Sequence, residues 1–374
     1  MIQNKIYSNF ISQILKNFFV FLFIFSSIAL TVRAVNFLDL IIESGYPVST
    51  YFTYSILNLF GLIPKFIPLS FLISLMIFIL KHNDGEFVIL WTSGVNKLKL
   101  VNIMLLSSVA ILIFYILFAA LVSPYALNKS RKLLSEDKLN SFLPTVRSSE
   151  FGDSFKGLTF AVGKKKDNEI QNVFLHDTAN NLKGFSSDSS NTLSTTIIAS
   201  KGVVQNRKIS LINGQIISSK KNNTANELIS FDRLNIDLAN ITTNTIKKPK
   251  LQETSTANLI SCLSSSNLND DFCNKDSIKE MTPNLIRRTI LPFYIPVLVL
   301  ICSFLFKKNK KIFLNKFFIF FYCLILLVFT ELCLRYTGLS QSIKFTYIFS
   351  PFILFAIIYL ILFYTFTNKG SLSE

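Results

Sequence analysis

Histidine is almost absent from this chain, and cysteine and glycine are scarce. The 374 residues include two His, five Cys and 12 Gly. His82 and His176 have no cysteine near them, so no cluster has the spacing of a metal site. No Gly-x-x-x-x-Gly-Lys-Ser/Thr loop and no Gly-x-Ser-x-Gly elbow occurs. We therefore predict no catalytic residues, no metal and no cofactor. Any ATP hydrolysis that this protein uses would need a separate chain.

Apolar residues are abundant instead. Half of the residues are hydrophobic, 38 are Phe, and the mean hydropathy is +0.45. Runs of about 20 apolar residues match the roughly 30 Å hydrocarbon core of a bilayer. Six such runs occur, at residues 18–40, 55–80, 100–122, 289–306, 317–336 and 346–366. The sequence thus predicts a membrane α-helical protein with six transmembrane helices. The first run has no convincing cleavage site behind it and is interpreted as a retained anchor.

A long polar insert divides the six runs into two groups of three. We predict spans one to three in residues 1–122, the insert in residues 123–288, and spans four to six in residues 289–374. Alternating or β-branched segments in the insert indicate strands at residues 157–162, 170–175, 193–204, 208–213 and 228–238. Asn213-Gly214 is typical of a turn between strands. Short strands separated by turns favour an inserted all-β sandwich or jellyroll-like domain flanked by helical connectors.

The second connector contains Cys262 and Cys273. An oxidising compartment would permit them to pair, and two free thiols are an equally good interpretation.

Lysine is distributed unevenly around the spans. With a cytoplasmic N-terminus, only Lys344 falls in a short external loop. The cytoplasmic segments contain Lys5, Lys16, Lys81, Lys97, Lys99, Lys307, Lys308, Lys310, Lys311, Lys316 and Lys369. This asymmetry follows the positive-inside rule and predicts cytoplasmic termini with the insert outside. The net charge of +16 is therefore better explained by membrane orientation than by binding to nucleic acid.

The loop between spans two and three has the pattern of a short helix at residues 83–94. Asn83 followed by Glu86 resembles a capping box, and Gly94 can end the helix in a left-handed cap. One apolar face would consist of Phe87, Leu90 and Trp91. Such a helix can lie on the lipid surface or dock in a groove on a partner, and the pattern alone does not choose between them.

Four of the charged residues within the predicted spans are candidates for a role, since ionisable groups there are costly and usually face a cavity or partner. Arg33 lies about 15 residues into the first run, which is roughly 22 Å along a helix. Arg33 and Lys65 would both lie in the outer half of the membrane. They could contact the headgroup of a lipid or extend to the interface. Glu331 and Arg335 are four residues apart and are predicted to form a structural ion pair.

Several of these segments resemble one family. The run from Glu86 to Val95 is similar to the cytoplasmic coupling segment of the LptF/LptG permeases of lipopolysaccharide export. The segments at residues 156–162, 173–177 and 284–288 resemble the LptF branch. The resemblance extends over most of the chain, as three spans, an external β-jellyroll and three further spans.

The resemblance implies a permease subunit of an ABC-type exporter in the bacterial inner membrane. It implies a paralogous LptG-like permease as partner and a separate LptB-like ATPase dimer that grips the coupling helix. Lipopolysaccharide would leave the membrane and pass to a periplasmic bridge that includes LptC-like and LptA-like proteins. Glu86, Phe87, Leu90, Trp91 and Gly94 would couple the ATPase, and Arg33 and Lys65 are candidates for lipid contact.

Two other functions are compatible with the residues. The chain could be the permease of another multi-span lipid transporter. It could also be a membrane-anchored assembly scaffold without transport, which predicts no partner ATPase.

Overall fold

The computed structural model describes most of the chain, with gaps between the segments. The described residues are 2–42, 47–83, 85–140, 151–155, 157–166, 169–178, 192–205, 208–220, 227–237, 250–264, 273, 275–307 and 316–367. They fall into two compact units. The first consists of Met1–Val32, Leu57–Asn128 and Pro249–Glu374, and the second of Arg33–Ile56 and Lys129–Lys248.

Among the described residues, six helical segments are long and apolar enough to cross a bilayer, in agreement with the predicted number of spans. They are Lys5–Ile41, Ile63–His82, Lys97–Leu134, Ile278–Phe306, Lys316–Tyr336 and Gln341–Thr367. Several segments start earlier or end later than the apolar runs, because polar residues continue the helices. The second starts later than predicted, at Ile63 and not at residue 55, because the chain turns at Gly61 and Leu62.

The helices within and between these spans have the following bounds. They are α1 (Ile2–Asn36), α2 (Asp39–Ile42), α3 (Val48–Phe60), α4 (Ile63–His82), α5 (Glu86–Thr92), α6 (Lys97–Leu117), α7 (Ser123–Asn140), α8 (Thr256–Ser264), α9 (Lys275–Thr289), α10 (Tyr294–Cys302), α11 (Lys316–Tyr336) and α12 (Gln341–Thr367). A π-helix at Phe118–Val122 joins α6 to α7, and 3₁₀ turns at Leu291–Phe293 and Ser303–Phe306 flank α10.

Helix α10 lies at the centre of the first unit. It packs against α4, α6, α11 and α12. Almost every residue of its Tyr-Ile-Pro-Val-Leu-Val-Leu-Ile-Cys sequence is buried, in keeping with the apolar side chains all round this helix. The outer helices instead have one buried stripe and one exposed apolar side. The fourth span is thus the core of the helical bundle.

The described residues of the insert form one antiparallel sheet of six strands, which confirms the predicted β structure. The strands are β1 (Phe151–Phe155), β2 (Leu158–Lys166), β3 (Glu169–Asp177), β4 (Thr192–Gln205), β5 (Lys208–Lys220) and β6 (Glu227–Asp237). They lie side by side in chain order, each paired with the next. A jellyroll needs Greek-key connections, so the jellyroll order that the resemblance implied is not confirmed in the described strands.

The turn expected at Asn213-Gly214 is wrong, because both residues lie inside β5. Asn213 has a φ of 52°, in the left-handed region. A side chain at Gly214 would overlap the Ile198 carbonyl oxygen and the Phe231 ring. The buried face of β5 shifts by one residue here, from Ile209 and Leu211 to Ile216. The same backbone preferences that suit a turn produce a local irregularity in a continuous strand.

The second connector consists of α8 and α9, which enclose a small apolar cluster. Cys262 and Cys273 form a disulfide with Cα atoms 5.7 Å apart. Leu259 and Met281 are buried beside Cys262. The sequence left open whether these cysteines form a disulfide or remain free thiols, and the structure favours the disulfide.

Candidate functional site

Helix α5 in the loop between spans two and three begins differently from the prediction. Its N-cap is Gly85, and no side chain caps this end. Asn83 instead follows α4 as that helix's C-cap, with its N–H donating to the Ile79 carbonyl. The capping box is therefore wrong, because the preceding span continues as a helix up to His82 and leaves Asn83 in its final turn.

The other end of α5 is as expected. Gly94 has a φ of 83°, in the left-handed region. Its N–H donates to the Trp91 carbonyl at 3.1 Å, and the Val95 N–H donates to the Leu90 carbonyl at 3.0 Å. This pair of bonds is a Schellman motif, which satisfies carbonyls that the end of a helix leaves open. Gly94 thus fixes both the length of α5 and the direction of the chain after it.

The apolar face of α5 points into the protein. Phe87 is completely buried, with its ring 5.9 Å from Phe10, 5.8 Å from Phe78 and 5.4 Å from Phe306. These residues belong to α1, to α4 and to the 3₁₀ turn after α10. One side chain therefore joins α5 to the ends of spans one, two and four.

Leu90 and Trp91 are partly buried against the same core. The Trp91 ring lies 6.2 Å from Phe306, and the Lys97 ammonium lies 4.7 Å from the Trp91 ring as a cation–π contact. The sequence left open whether this face meets lipid or a partner's groove; in the structure the chain's own helical bundle covers Phe87 and packs against Leu90 and Trp91. Periodicity identified the face but could not identify which surface it meets.

The outward side of α5 combines one charge with exposed apolar residues. Glu86 is 59% exposed, and Ile89 and Val88 are 67% and 44% exposed. Thr92 and Ser93 are exposed at the end of the helix. A partner would meet these residues.

A buried histidine, His82, contacts the Glu86 carboxylate. His82 Nδ1 donates to the Phe78 carbonyl at 2.8 Å, and His82 Nε2 lies 3.4 Å from Glu86 Oε2. The i,i+4 spacing in the sequence was the available signal for this contact, although a break between two helices lies between the residues. Phe10, Phe78 and Phe306 carried no comparable signal among 38 phenylalanines.

The two candidate lipid contacts lie in different compact units. Arg33 is half-buried in the last turn of α1, with its guanidinium carbon 5.8 Å from the centre of the Phe37 ring. Lys65 is exposed in the first turn of α4 and lines a small cavity with Arg287 and Arg288. Neither arginine was among the predicted site residues.

The predicted ion pair between Glu331 and Arg335 has a different partner in the structure. Glu331 Oε2 lies 2.9 Å from Arg287 Nη2 on α9, while Arg335 is exposed. The packing of α9 against α11 supplies this cation, so a tertiary contact replaces the local one.

Gly338 permits the close approach of α9 and α11, since a side chain there would overlap the Lys279 carbonyl of α9.

Within the described part of the chain, no three His, Cys, Asp or Glu residues are grouped as a metal site would require.

Comparison with known families supplies the identity of these elements. Residues 9–365 match the model of the lipopolysaccharide export system permease LptF/LptG. No curated protein sequence matches the chain. The matched residues include nearly all of the six apolar helical segments, α5 and the sheet. The chain therefore belongs to the LptF/LptG family of lipopolysaccharide export permeases.

Proposed function

We propose that this chain is one of two permease subunits in an ATP-driven exporter that extracts lipopolysaccharide from the inner membrane. Membership in the family supports the transport role. The segments at residues 156–162 and 284–288 favour the LptF branch, which makes an LptG-like chain its partner. ATP would be hydrolysed by a separate LptB-like dimer, since the sequence contains no phosphate-binding loop.

The observation that carries the coupling role is the two-sided packing of α5. Its inner face is held by Phe87 among rings from three spans, and its outer face presents Glu86 and Ile89. A movement of an ATPase bound to the outer face would reach spans one, two and four through direct contacts. In this proposal Phe87, Leu90, Trp91 and Gly94 position the helix, whereas Glu86 and Ile89 bind the partner.

The outer spans support a paired permease. In their most apolar stretches only 22%, 22% and 17% of residues are buried in spans one, five and six, against 67% in span four. Exposed apolar residues such as Phe23, Phe329 and Leu360 cover their sides. These surfaces can face lipid, a second permease and a cavity between the two chains.

The insert would lie in the periplasm, with both termini in the cytoplasm, as the lysine distribution predicts. The disulfide between Cys262 and Cys273 is compatible with that compartment. We propose that the sheet receives the lipid and continues toward LptC-like and LptA-like bridge proteins. Arg33, at the outer end of span one, would contact the phosphorylated headgroup.

Co-purification with the ATPase tests this function. We expect the double variant Glu86→Ala, Ile89→Asp to lose most of the bound ATPase while its level in the membrane is unchanged. An apolar anchor and a charge at the centre of a helix interface usually carry much of its binding energy. Lys81→Gln, at another exposed position near the same end of the bundle, is the matched control and should retain the ATPase.

Two results would contradict the proposal. Full ATPase binding and export by the double variant would remove the coupling role from α5. If no ATPase accompanies the unmodified chain, the scaffold interpretation replaces the exporter.

A further inference from the structure

A small cavity with a strongly basic lining lies beside the start of α4. Its volume is about 50 Å³. The lining consists of Gly61, Pro64, Lys65, Tyr115, Ala119, Ser123, Leu127, Gln252, Asn284, Arg287 and Arg288. Three of these side chains are cationic, and no carboxylate is among the described residues that line the cavity. The local field therefore favours an anion.

Arg287 lines this cavity, and not all of its guanidinium donors have a partner. Its Nη2 donates to Glu331 at 2.9 Å, whereas its buried Nε has no hydrogen-bond partner within the described part of the chain. A buried guanidinium donor without an acceptor is energetically costly. An oxyanion in the cavity could accept from the guanidinium donors of Arg287 that Glu331 does not use, while the Glu331 contact persists.

Arg288 contributes a fixed charge. It is only 6% exposed and donates to the carbonyl oxygens of Thr254 at 2.9 Å and Gln252 at 3.1 Å. Its Nη1 also donates to Thr256 Oγ1 at 3.1 Å. These acceptors are neutral, so they satisfy the guanidinium donors without cancelling the positive charge. The described residues include no carboxylate within ion-pair distance of Arg288.

The π-helix at Phe118–Val122 forms one wall of the cavity, and π-helical turns are frequent at functional sites. Ala119 lines the cavity from this turn. The carbonyl of Ala120 accepts a hydrogen bond from Thr256 Oγ1 at 2.8 Å. Thr256 thus links the irregular turn to Arg288, and the small side chains on this wall leave space beside the cations.

We infer that this cavity binds one phosphate-type oxyanion, held by Arg287 and Lys65 within the field of Arg288. A water needs roughly 10–15 Å³ by this measure, so the volume suits a few water-sized groups, as in one tetrahedral anion, and excludes a sugar ring. Arginine can bind phosphate through two donors, and lysine adds a point charge. The lysine distribution puts this end of spans two and four at the outer membrane surface, where a lipid phosphate or a free phosphate could enter.

The inference goes beyond export, because the binding belongs to this chain alone and needs no ATPase. The test uses the purified full-length chain in detergent, with bound ligand measured by native mass spectrometry. The probes are inorganic phosphate, dioleoyl phosphatidic acid and dioleoyl phosphatidylcholine. We expect phosphatidic acid or inorganic phosphate to bind and phosphatidylcholine to bind much more weakly. Binding of phosphatidic acid alone identifies a lipid phosphate, and binding of both identifies a site that also accepts free phosphate.

Paired variants separate an anion site from a structural ion pair. Arg287→Gln should weaken binding about tenfold or more, since it removes a charge-assisted contact. Glu331→Gln breaks the same ion pair but keeps the arginine, so it should bind at least as well as the unmodified chain. Lys65→Gln should weaken binding, while Lys81→Gln at the other end of α4 should not.

Equal binding of all three probes, or no binding of either phosphate probe, would overturn the inference. Equal losses in Arg287→Gln and Glu331→Gln would do so too, because they would assign Arg287 a purely structural role. If Arg287→Gln fails to fold, the comparison of Lys65→Gln with Lys81→Gln decides. None of these results depends on ATPase binding or export, so the proposed function stands or fails separately.

Discussion

Arg33 illustrates how one residue can have two functions that differ in their response to substitution. It lies in the last turn of α1, where a cation interacts favourably with the helix dipole, and near the Phe37 ring. Both contacts would hold an arginine at the membrane interface without any ligand. Binding to a lipid phosphate requires, in addition, that the guanidinium donors reach the headgroup.

Replacing Arg33 distinguishes these functions. We expect Arg33→Gln to reduce photo-crosslinking to lipopolysaccharide and lipid stimulation of the ATPase several-fold. Arg33→Lys should fall between, because an ammonium binds phosphate as a point charge without the bidentate geometry.

Lys344→Gln, another single cation in a predicted outer segment, is the control and should behave like the unmodified chain. Unchanged crosslinking and stimulation in Arg33→Gln would show that Arg33 only extends to the interface.

At the scale of the element, α5 is a helix whose two faces have separate tasks. Phe87 is completely buried among aromatic rings, while Ile89, two residues later, is 67% exposed. Truncating Phe87 leaves a cavity where α1, α4 and α5 meet, whereas truncating Ile89 leaves none. The two positions therefore separate stability of the bundle from affinity for a partner.

Thermal unfolding of the purified chain measures this difference. We expect Phe87→Ala to lower the free energy of unfolding by about 3–5 kcal/mol, as for other buried aromatic residues, and so to lower the unfolding temperature clearly. Ile89→Ala, as an exposed substitution, should stay within about 0.5 kcal/mol of the unmodified chain and weaken only ATPase binding. Equal unfolding temperatures for the two variants would contradict the inward packing of Phe87.

The elements themselves were largely predictable from the sequence, because each rests on local periodicity or composition. Apolar length identified the six spans, and alternation or a high content of β-branched residues identified five of the strands. β1, with the sequence Phe-Gly-Asp-Ser-Phe, has no alternation of apolar and polar residues to reveal it. Gly94 was predictable because few other residues tolerate its positive φ.

Predictions that needed a tertiary partner were less successful. Glu331 had a suitable cation four residues away, yet Arg287 from α9 forms the ion pair. Asn213-Gly214 suits a turn and equally suits an irregularity within a strand, and only pairing with β4 and β6 decides. The basic cavity joins residues that are far apart in the chain, so no local pattern indicates it.

At the scale of the whole molecule, membrane orientation connects the proposals. In the proposed function, α5 must face the cytoplasm to meet an ATPase, and the sheet must face the periplasm to meet a bridge. The asymmetry of lysines predicts both placements. The structure also indicates which residues can be labelled to test these placements, because a reagent has to reach an exposed side chain.

Cysteine labelling in intact cells with a membrane-impermeant maleimide tests this orientation. The variants should be made in a chain whose native cysteines have been replaced. Two of these, Cys302 and Cys323, are buried in the helical bundle, so their replacement removes no accessible thiol. Ser93→Cys, exposed after α5, should be labelled only after the inner membrane is permeabilised. Leu228→Cys, 58% exposed on β6, should be labelled once the reagent reaches the periplasm.

Trp91 and Asn213 are poorer sites, because Trp91 is partly buried and Asn213 has a positive φ. Labelling of Ser93→Cys from outside would show that the topology is inverted. An inverted topology would place α5 beyond the reach of a cytoplasmic ATPase and so exclude the coupling mechanism.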